Sequence, residues 1–294
     1  MSLYSIKDLE HLSGIKAHTL RIWEQRYNIV VPKRTDTNIR YYDDNDLKLI
    51  LNISLLKDHN YKISQIAEMN DDEMKREVMK ITEKSTKSEE QIQALTLAMI
   101  DLDEDRFEKL ISTSILQTGF ERTMLNVIYP FLVRIGYLWQ TGSINPAQEH
   151  FISNLIRQKL IVAIDGQIIH PDKHNSTYML YLPEGELHEL SLLFANYILK
   201  SRNHRVLYLG QSLPFPDLQE VYKIHKPKYL MTVITSAPLE EGVQNYLYKI
   251  SKSFPNSDIL VSGYQVVGQD WKIPDNVVVI NKIEDLIDFV DRHD

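Results

Sequence analysis

"STYMLYLPEGELHELSLLF", residues 176–194, decides how the second half of the chain folds. "TYMLYLP" is a short apolar run rich in aromatic and branched side chains, which reads as a buried strand. "PEGELH" reads as a loop, and "ELSLLFANYILKSR" resumes at helical period. The same unit then recurs. "RVLYLGQ", "YLMTVIT", "DILVSG" and "NVVVIN" are further strand-like runs, alternating with the helical stretches "FPDLQEVYKIHK", "LEEGVQNYLYKISKSF" and "IEDLIDFVDRH". This alternation predicts an α/β Rossmann-like (flavodoxin-like) domain with a mostly parallel sheet over residues 175–294. Such sheets take ligands at the carboxyl ends of their strands. His188 falls in the loop after the first strand, at that edge. It reads either as a solvated loop histidine or as a ligand for a metal-containing cofactor.

Upstream, residues 91–170 are helical throughout: "QIQALTLAMIDL", "DEDRFEKLISTSILQTG", "ERTMLNVIYPFLVRIGYLWQTG" and "NPAQEHFISNLIRQKLIVAIDGQI". Four helices with short joints predict a four-helix bundle. The polar stretch "ITEKSTKSEE", residues 81–90, is the expected linker. Residues 1–80 open with "SIKDLEHLSG", stopped by Gly14, and "KAHTLRIWEQRY", which places Leu20 and Trp23 on one face. Helix, glycine turn, helix is the helix-turn-helix pattern. Pro32 breaks the second helix, and the stretch from Arg34 to Arg40 suits a tight wing. The expected architecture is therefore multidomain: an all-α winged helix-turn-helix head, a bundle and an α/β domain.

Composition narrows the function. With no cysteine, disulfides and thiolate metal sites are excluded. No apolar run is long enough to span a bilayer and no signal-peptide pattern opens the chain, so a cytoplasmic protein without a membrane partner is expected. The net charge is −7, yet residues 1–80 hold 13 basic and 13 acidic side chains, and Lys16 to Arg40 holds six basic against two acidic. A basic patch on an acidic protein fits a DNA-reading head on a body with another task. No nucleophile–base pair, carboxylate dyad or phosphate-binding glycine loop points to catalysis, so no enzyme is expected.

The head residues "TLRIWEQRY", "PKRT" and "NIRYY", in that order, resemble the MerR family of winged-helix regulators. The resemblance covers about 70 residues of this part of the chain. It implies that the second helix enters the major groove of double-stranded DNA and the wing rests on phosphate. Thr19, Arg21, Arg26, Lys33, Arg34, Arg40 and Tyr41 would then face an operator. Cationic groups on one surface neutralise phosphates, and hydroxyls add positioning contacts. Family members bind as dimers, so self-association is expected.

Behind the head, Trp139 is followed after nine residues by Glu149 and His150, and "ELHELS" carries Glu186 and His188. These two motifs resemble the cobalamin-binding, light-sensing branch of the MerR family, the CarH-type photoreceptors. The resemblance implies His188 as the cobalt ligand, with Glu186 fixing its tautomer. Trp139, Glu149 and His150 would lie on the side of the adenosyl group of adenosylcobalamin. Light would break the carbon–cobalt bond and with it a DNA-bound, repressing tetramer. The remaining histidines, His170, His174, His204 and His225, read as surface or loop residues.

Four positions depart from that branch. Ser191 stands where the motif has glycine; Ser262 and Gly263 stand where it has two. Ser236, the candidate partner of the nucleotide tail, sits in "TSAPLEEG" with its leucine one residue late. Gln140 replaces the histidine that follows the tryptophan in light-sensing members. The leading reading is a cobalamin-dependent repressor that responds to light. A second is a MerR-type regulator whose sensor has lost cobalamin and answers to a protein antirepressor. A third, a corrinoid methyl carrier, does not account for the head.

Overall fold

The structure, a computed structural model, describes residues 4–34, 38–84, 88–140, 144–168, 176–236, 239 and 242–293. It divides into two compact units, Met1–Leu155 and Ile156–Asp294.

The first unit begins with α1 (Ile6–Ser13), opened by a capping box between Ser5 and Asp8 and closed by Gly14 in the left-handed region at φ +70°. After α2 (Ala17–Tyr27) come the wing strands β1 (Lys33–Arg34) and β2 (Arg40–Tyr41), an antiparallel pair. Tyr4 bridges Tyr42, which ties the start of the chain to the base of the wing. Next are α3 (Asp44–Asp58), α4 (Ile63–Glu68) and α5 (Asp71–Lys84). Leu20 and Trp23 are buried as their spacing predicts, with Leu9, Leu12, Leu47 and Ile50.

The bundle follows as α6 (Ser88–Asp101), α7 (Glu104–Thr118), α8 (Phe120–Thr123), α9 (Tyr129–Gln140) and α10 (Pro146–Asp165). A single π-helical turn, Met124–Ile128, joins α8 to α9. Pro130 explains it. A proline mid-helix removes one N–H and collides with the carbonyl four residues back, so the turn widens.

Two expectations need correction. The stretch 81–90 is not a polar linker: α5 runs to Lys84 and α6 starts at Ser88, with residues 85–87 outside the described part. Glutamate and lysine form helix well without an apolar stripe, so polarity alone does not mark a break. Nor do head and bundle separate. α3 packs on α6, Gln93 Nε2 donates to the Leu51 carbonyl at 2.7 Å, and Arg134 Nη2 donates to the Leu12 carbonyl at 2.8 Å. The last pair satisfies a C-terminal carbonyl of α1 that the helix itself leaves open. α6 is buried on nearly all sides as a result.

The second unit carries β3 (Thr177–Pro183), β4 (Arg205–Leu213), β5 (Tyr229–Val233), β6 (Asp258–Ser262) and β7 (Val277–Val279). Their order is β4-β3-β5-β6-β7 and every pairing is parallel. The connecting helices are α11 (Leu190–Ser201), α12 (Phe215–His225) and α13 (Val243–Ser253), with α14 (Ile283–His293) after the last strand. β3 and β5 are buried along almost their whole length, as strands covered on both faces must be. The chain leaves β3 for one side of the sheet and returns through β5 on the other. That makes the β3–β5 gap the topological switch point, where such sheets open a crevice. His204 lies in the loop between α11 and β4, as expected, but it is not at the surface. It is 1% exposed and lies edge-on to Tyr178 at 5.1 Å. His170 and His174 lie outside the described residues.

Asp43 anchors the start of α3: its Oδ1 accepts from the amides of Asn45 and Asp46, and its Oδ2 takes the Lys33 ammonium. Burial works against its charge, but these bonds outweigh it and hold the carboxyl below its usual range. Asp43→Ala is expected to cost about 1–2 kcal/mol, the ordinary loss of a helix cap, seen as a lower urea midpoint for the helical signal.

Candidate functional site

Glu186 lies three residues beyond β3, and its side chain is fully buried. Oε2 accepts the amides of Thr235 and Ser236, both at 2.7 Å, from the loop after β5. Oε1 accepts the amides of Leu187 and His188 at 3.1 and 3.0 Å, and lies 2.6 Å from His188 Nδ1. One carboxylate therefore ties together the loops on either side of the switch point. Burial alone would raise its pKa, but the His188 bond and the backbone amides prevail and hold it well below the carboxylate range. A carboxylate only accepts, so Nδ1 of His188 carries the proton. In the neutral ring the lone pair then lies on Nε2. The His188 side chain is 61% exposed, so the ring is held at its base and open at its rim.

Glu189, which the sequence did not single out, extends the network. Its carboxylate takes Arg157 Nε at 2.9 Å, Tyr208 OH at 2.9 Å and Gln211 Nε2 at 3.1 Å. Gln211 also donates to the Leu187 carbonyl, so β4 braces the His188 loop from behind. Burial, then the bond to Glu189, pushes the Tyr208 phenol far up and keeps it a neutral donor. No pattern in the sequence links these residues, because the contacts arise only when α10, the loop and β4 meet.

The other expected positions divide. Ser236 is drawn in: its Oγ is 3.1 Å from His188 Nδ1. Gly263 has φ +105°, and a Cβ there would sit 2.4 Å from the Ile234 carbonyl oxygen. Only glycine lets β6 end this close to the loop that carries Thr235 and Ser236. Ser262 is committed elsewhere, donating to the Ile280 carbonyl at 2.7 Å. Ser191 is a half-buried residue in the first turn of α11.

Glu149 and His150 belong to the first unit, at the start of α10. Glu149 Oε2 lies 2.6 Å from His150 Nδ1, and Ser153 Oγ donates to Glu149 Oε1, so this glutamate orients this histidine as Glu186 orients His188. Trp139 and Gln140 end α9; their side chains lie outside the described residues.

On the head, Arg21 and Arg26 are exposed on α2 and Thr19 is half-buried there; Arg34, Arg40 and Tyr41 are on the wing. Arg34 is steadied by Asn38, whose Oδ1 accepts from Nη1 at 2.7 Å. Lys33 is also exposed on the wing. Asp43 and Asp46 hold its ammonium, so it braces the wing against α3.

Residues 4–73 match the MerR HTH family regulatory protein profile, and residues 91–163 match the B12 binding domain profile. The chain joins a MerR-type helix-turn-helix head to a B12-binding domain. It is similar to the HTH-type transcriptional repressor CarH of Myxococcus xanthus, 24% identical over 86% of this chain and 85% of the relative. It is also similar to the repressor CarA of that organism, 25% identical over 73% of this chain and 70% of the relative. Among solved structures, the monomethylamine corrinoid protein of Methanosarcina barkeri shares the fold over 70% of this chain and 99% of its own, with TM-score 0.55 and 12% identity.

The residues present fit a corrin. Among the described residues no three His, Asp or Glu gather as a metal-ligand set. His188 offers one oriented nitrogen, which suits a cofactor that brings its metal already ringed by nitrogens. A carboxylate hydrogen-bonded to the far ring nitrogen is the usual support of an imidazole that ligates a metal.

Glu186→Gln keeps the shape but turns one acceptor oxygen into a donor facing either His188 or two backbone amides. We expect a loss of about 1–3 kcal/mol for the mismatched buried groups. The 15N shifts of His188 are expected to show mixed tautomers where the parent shows Nδ1–H alone.

Proposed function

We propose that the chain is a cobalamin-dependent, DNA-binding transcriptional repressor. The observation that carries the reading is His188, locked by Glu186 at the switch point of a flavodoxin-like sheet. The MerR-type head and the similarity to two repressors support it. His188 would bind cobalt through Nε2, and Glu186 would keep its proton on Nδ1. Ser236 and Gly263 border the same crevice, and Gly263 keeps backbone there close without a side chain between. Trp139, Glu149 and His150 would contact the upper ligand, which we assign as adenosyl. Cobalamin would supply a cobalt able to take an imidazole nitrogen and, in the adenosyl form, a light-labile carbon–cobalt bond. The protein binds its operator as a dimer or tetramer under this reading, and catalyses no reaction.

A second reading has specific support. Gln140 puts an amide, a poor cobalt ligand, where the resemblance to the light-sensing branch implies histidine. Ser191 narrows one glycine position, and Ser262 is spent on the Ile280 carbonyl. These favour a sensor that has lost the light response or, further, cobalamin itself, leaving control to a protein antirepressor.

The deciding experiment is an absorbance spectrum after incubation with adenosylcobalamin in the dark, followed by gel filtration. We expect a retained corrin band in the parent and none, or a markedly weaker one, in His188→Ala. A parent that retains no corrin would move the assignment to the cobalamin-independent regulator. Repeating the filtration after green light separates photoreception, read as a change in size, from cofactor sensing without it.

On DNA, Arg21→Ala is expected to weaken operator binding and lower the slope of log affinity against log salt by about 1. Lys33→Ala is expected to leave that slope nearly unchanged and to act on the stability of the wing instead. Equal slopes for the two variants would reverse the assignment of Lys33.

A further inference from the structure

The first unit contains a cleft of about 1200 Å³ walled by α3, α5, α6 and α7, where head helices meet bundle helices. It exceeds the roughly 300–1,000 Å³ of common small-molecule sites. Leu49, Met74, Val78, Leu97 and Leu110 give it apolar walls. Four cations and four aspartates also line it, so its charge balances.

Arg106, in the first turn of α7, does not fit that balance. Its Nη2 is buried and has no hydrogen-bond partner among the described residues. The two carboxylates that act on it, Asp101 and Asp103, favour its charge, and each also has another partner. Asp101 takes the Lys48 ammonium, and Asp103 Oδ1 caps α7 by accepting the Arg106 amide at 3.0 Å. Burial lowers the guanidinium pKa and outweighs the pull of Asp101 and Asp103, so the charge is only partly compensated. Leaving a charged donor unmet costs more than the ~1–3 kcal/mol of a neutral one. A guanidinium fork is matched by a planar carboxylate.

We propose that this cleft is a second ligand site, for a small monocarboxylate with an apolar body. The carboxylate pairs with Arg106, and the body lies along Leu49, Leu97 and Leu110. A monoanion suits the site because four aspartates face any further negative charge. The site shares no residue with the His188 loop. A ligand there touches head and bundle together and stabilises their packing by mass action.

The test is calorimetric titration of the full chain with octanoate, against acetate, 1-octanol and octyl phosphate. Octanoate is expected to bind at one site, with acetate and 1-octanol each at least tenfold weaker. Arg106→Gln is expected to weaken octanoate at least tenfold without lowering the melting temperature. Thr113→Trp, which fills the cleft from α7 and leaves Arg106 in place, is expected to block binding as well. His188→Ala is expected to bind octanoate as the parent does, which separates this site from the corrin. Absent octanoate binding, or equal binding by parent and Arg106→Gln, would overturn the proposal. Acetate equal to octanoate would remove the apolar body, and octyl phosphate binding tighter would remove the monoanion.

Discussion

The candidate sensor depends on one buried carboxylate. Glu186 sits at the β3–β5 switch point and collects backbone amides from two loops that are far apart in sequence. Its charge survives burial only because those donors and the His188 ring surround it. That same demand aims the ring. With Nδ1 committed to the carboxylate, the chemistry of His188 is directed through Nε2. The network behind Glu189 adds a second constraint, since Arg157, Tyr208 and Gln211 converge there and hold the loop against the sheet.

The first unit rests on a different device. Side chains of the bundle reach main-chain carbonyls of the head, Arg134 to Leu12 and Gln93 to Leu51. These bonds satisfy acceptors that would otherwise be buried with no partner, and they fix the head on α6. The head is thus part of the body that carries Glu149 and His150. Packing ends that body inside α10, after Leu155, and Arg157 on the next turn already serves the α/β unit.

Much of this was legible in the sequence. The alternation of short apolar runs with helical stretches gives the parallel α/β unit, because strands covered on both faces are continuously apolar. "ELH" after the first strand placed His188 at the sheet edge, and the spacing of Trp139 from Glu149 and His150 placed those residues on successive helices. Gly263 was visible as a motif glycine, though its cause is the approach of the Ile234 backbone.

What the sequence determined by itself was periodicity and local chemistry: which segments with an apolar period are helix or strand, where glycine turns fall, and that one histidine follows one glutamate. These follow from interactions within a few residues. Only the tertiary structure decided which charges are free. Lys33 is held by Asp43 and Asp46, Ser262 donates to the Ile280 carbonyl, and Arg106 gave no signal at all. Whether a polar group faces solvent, a partner or nothing depends on segments distant in sequence that meet on folding.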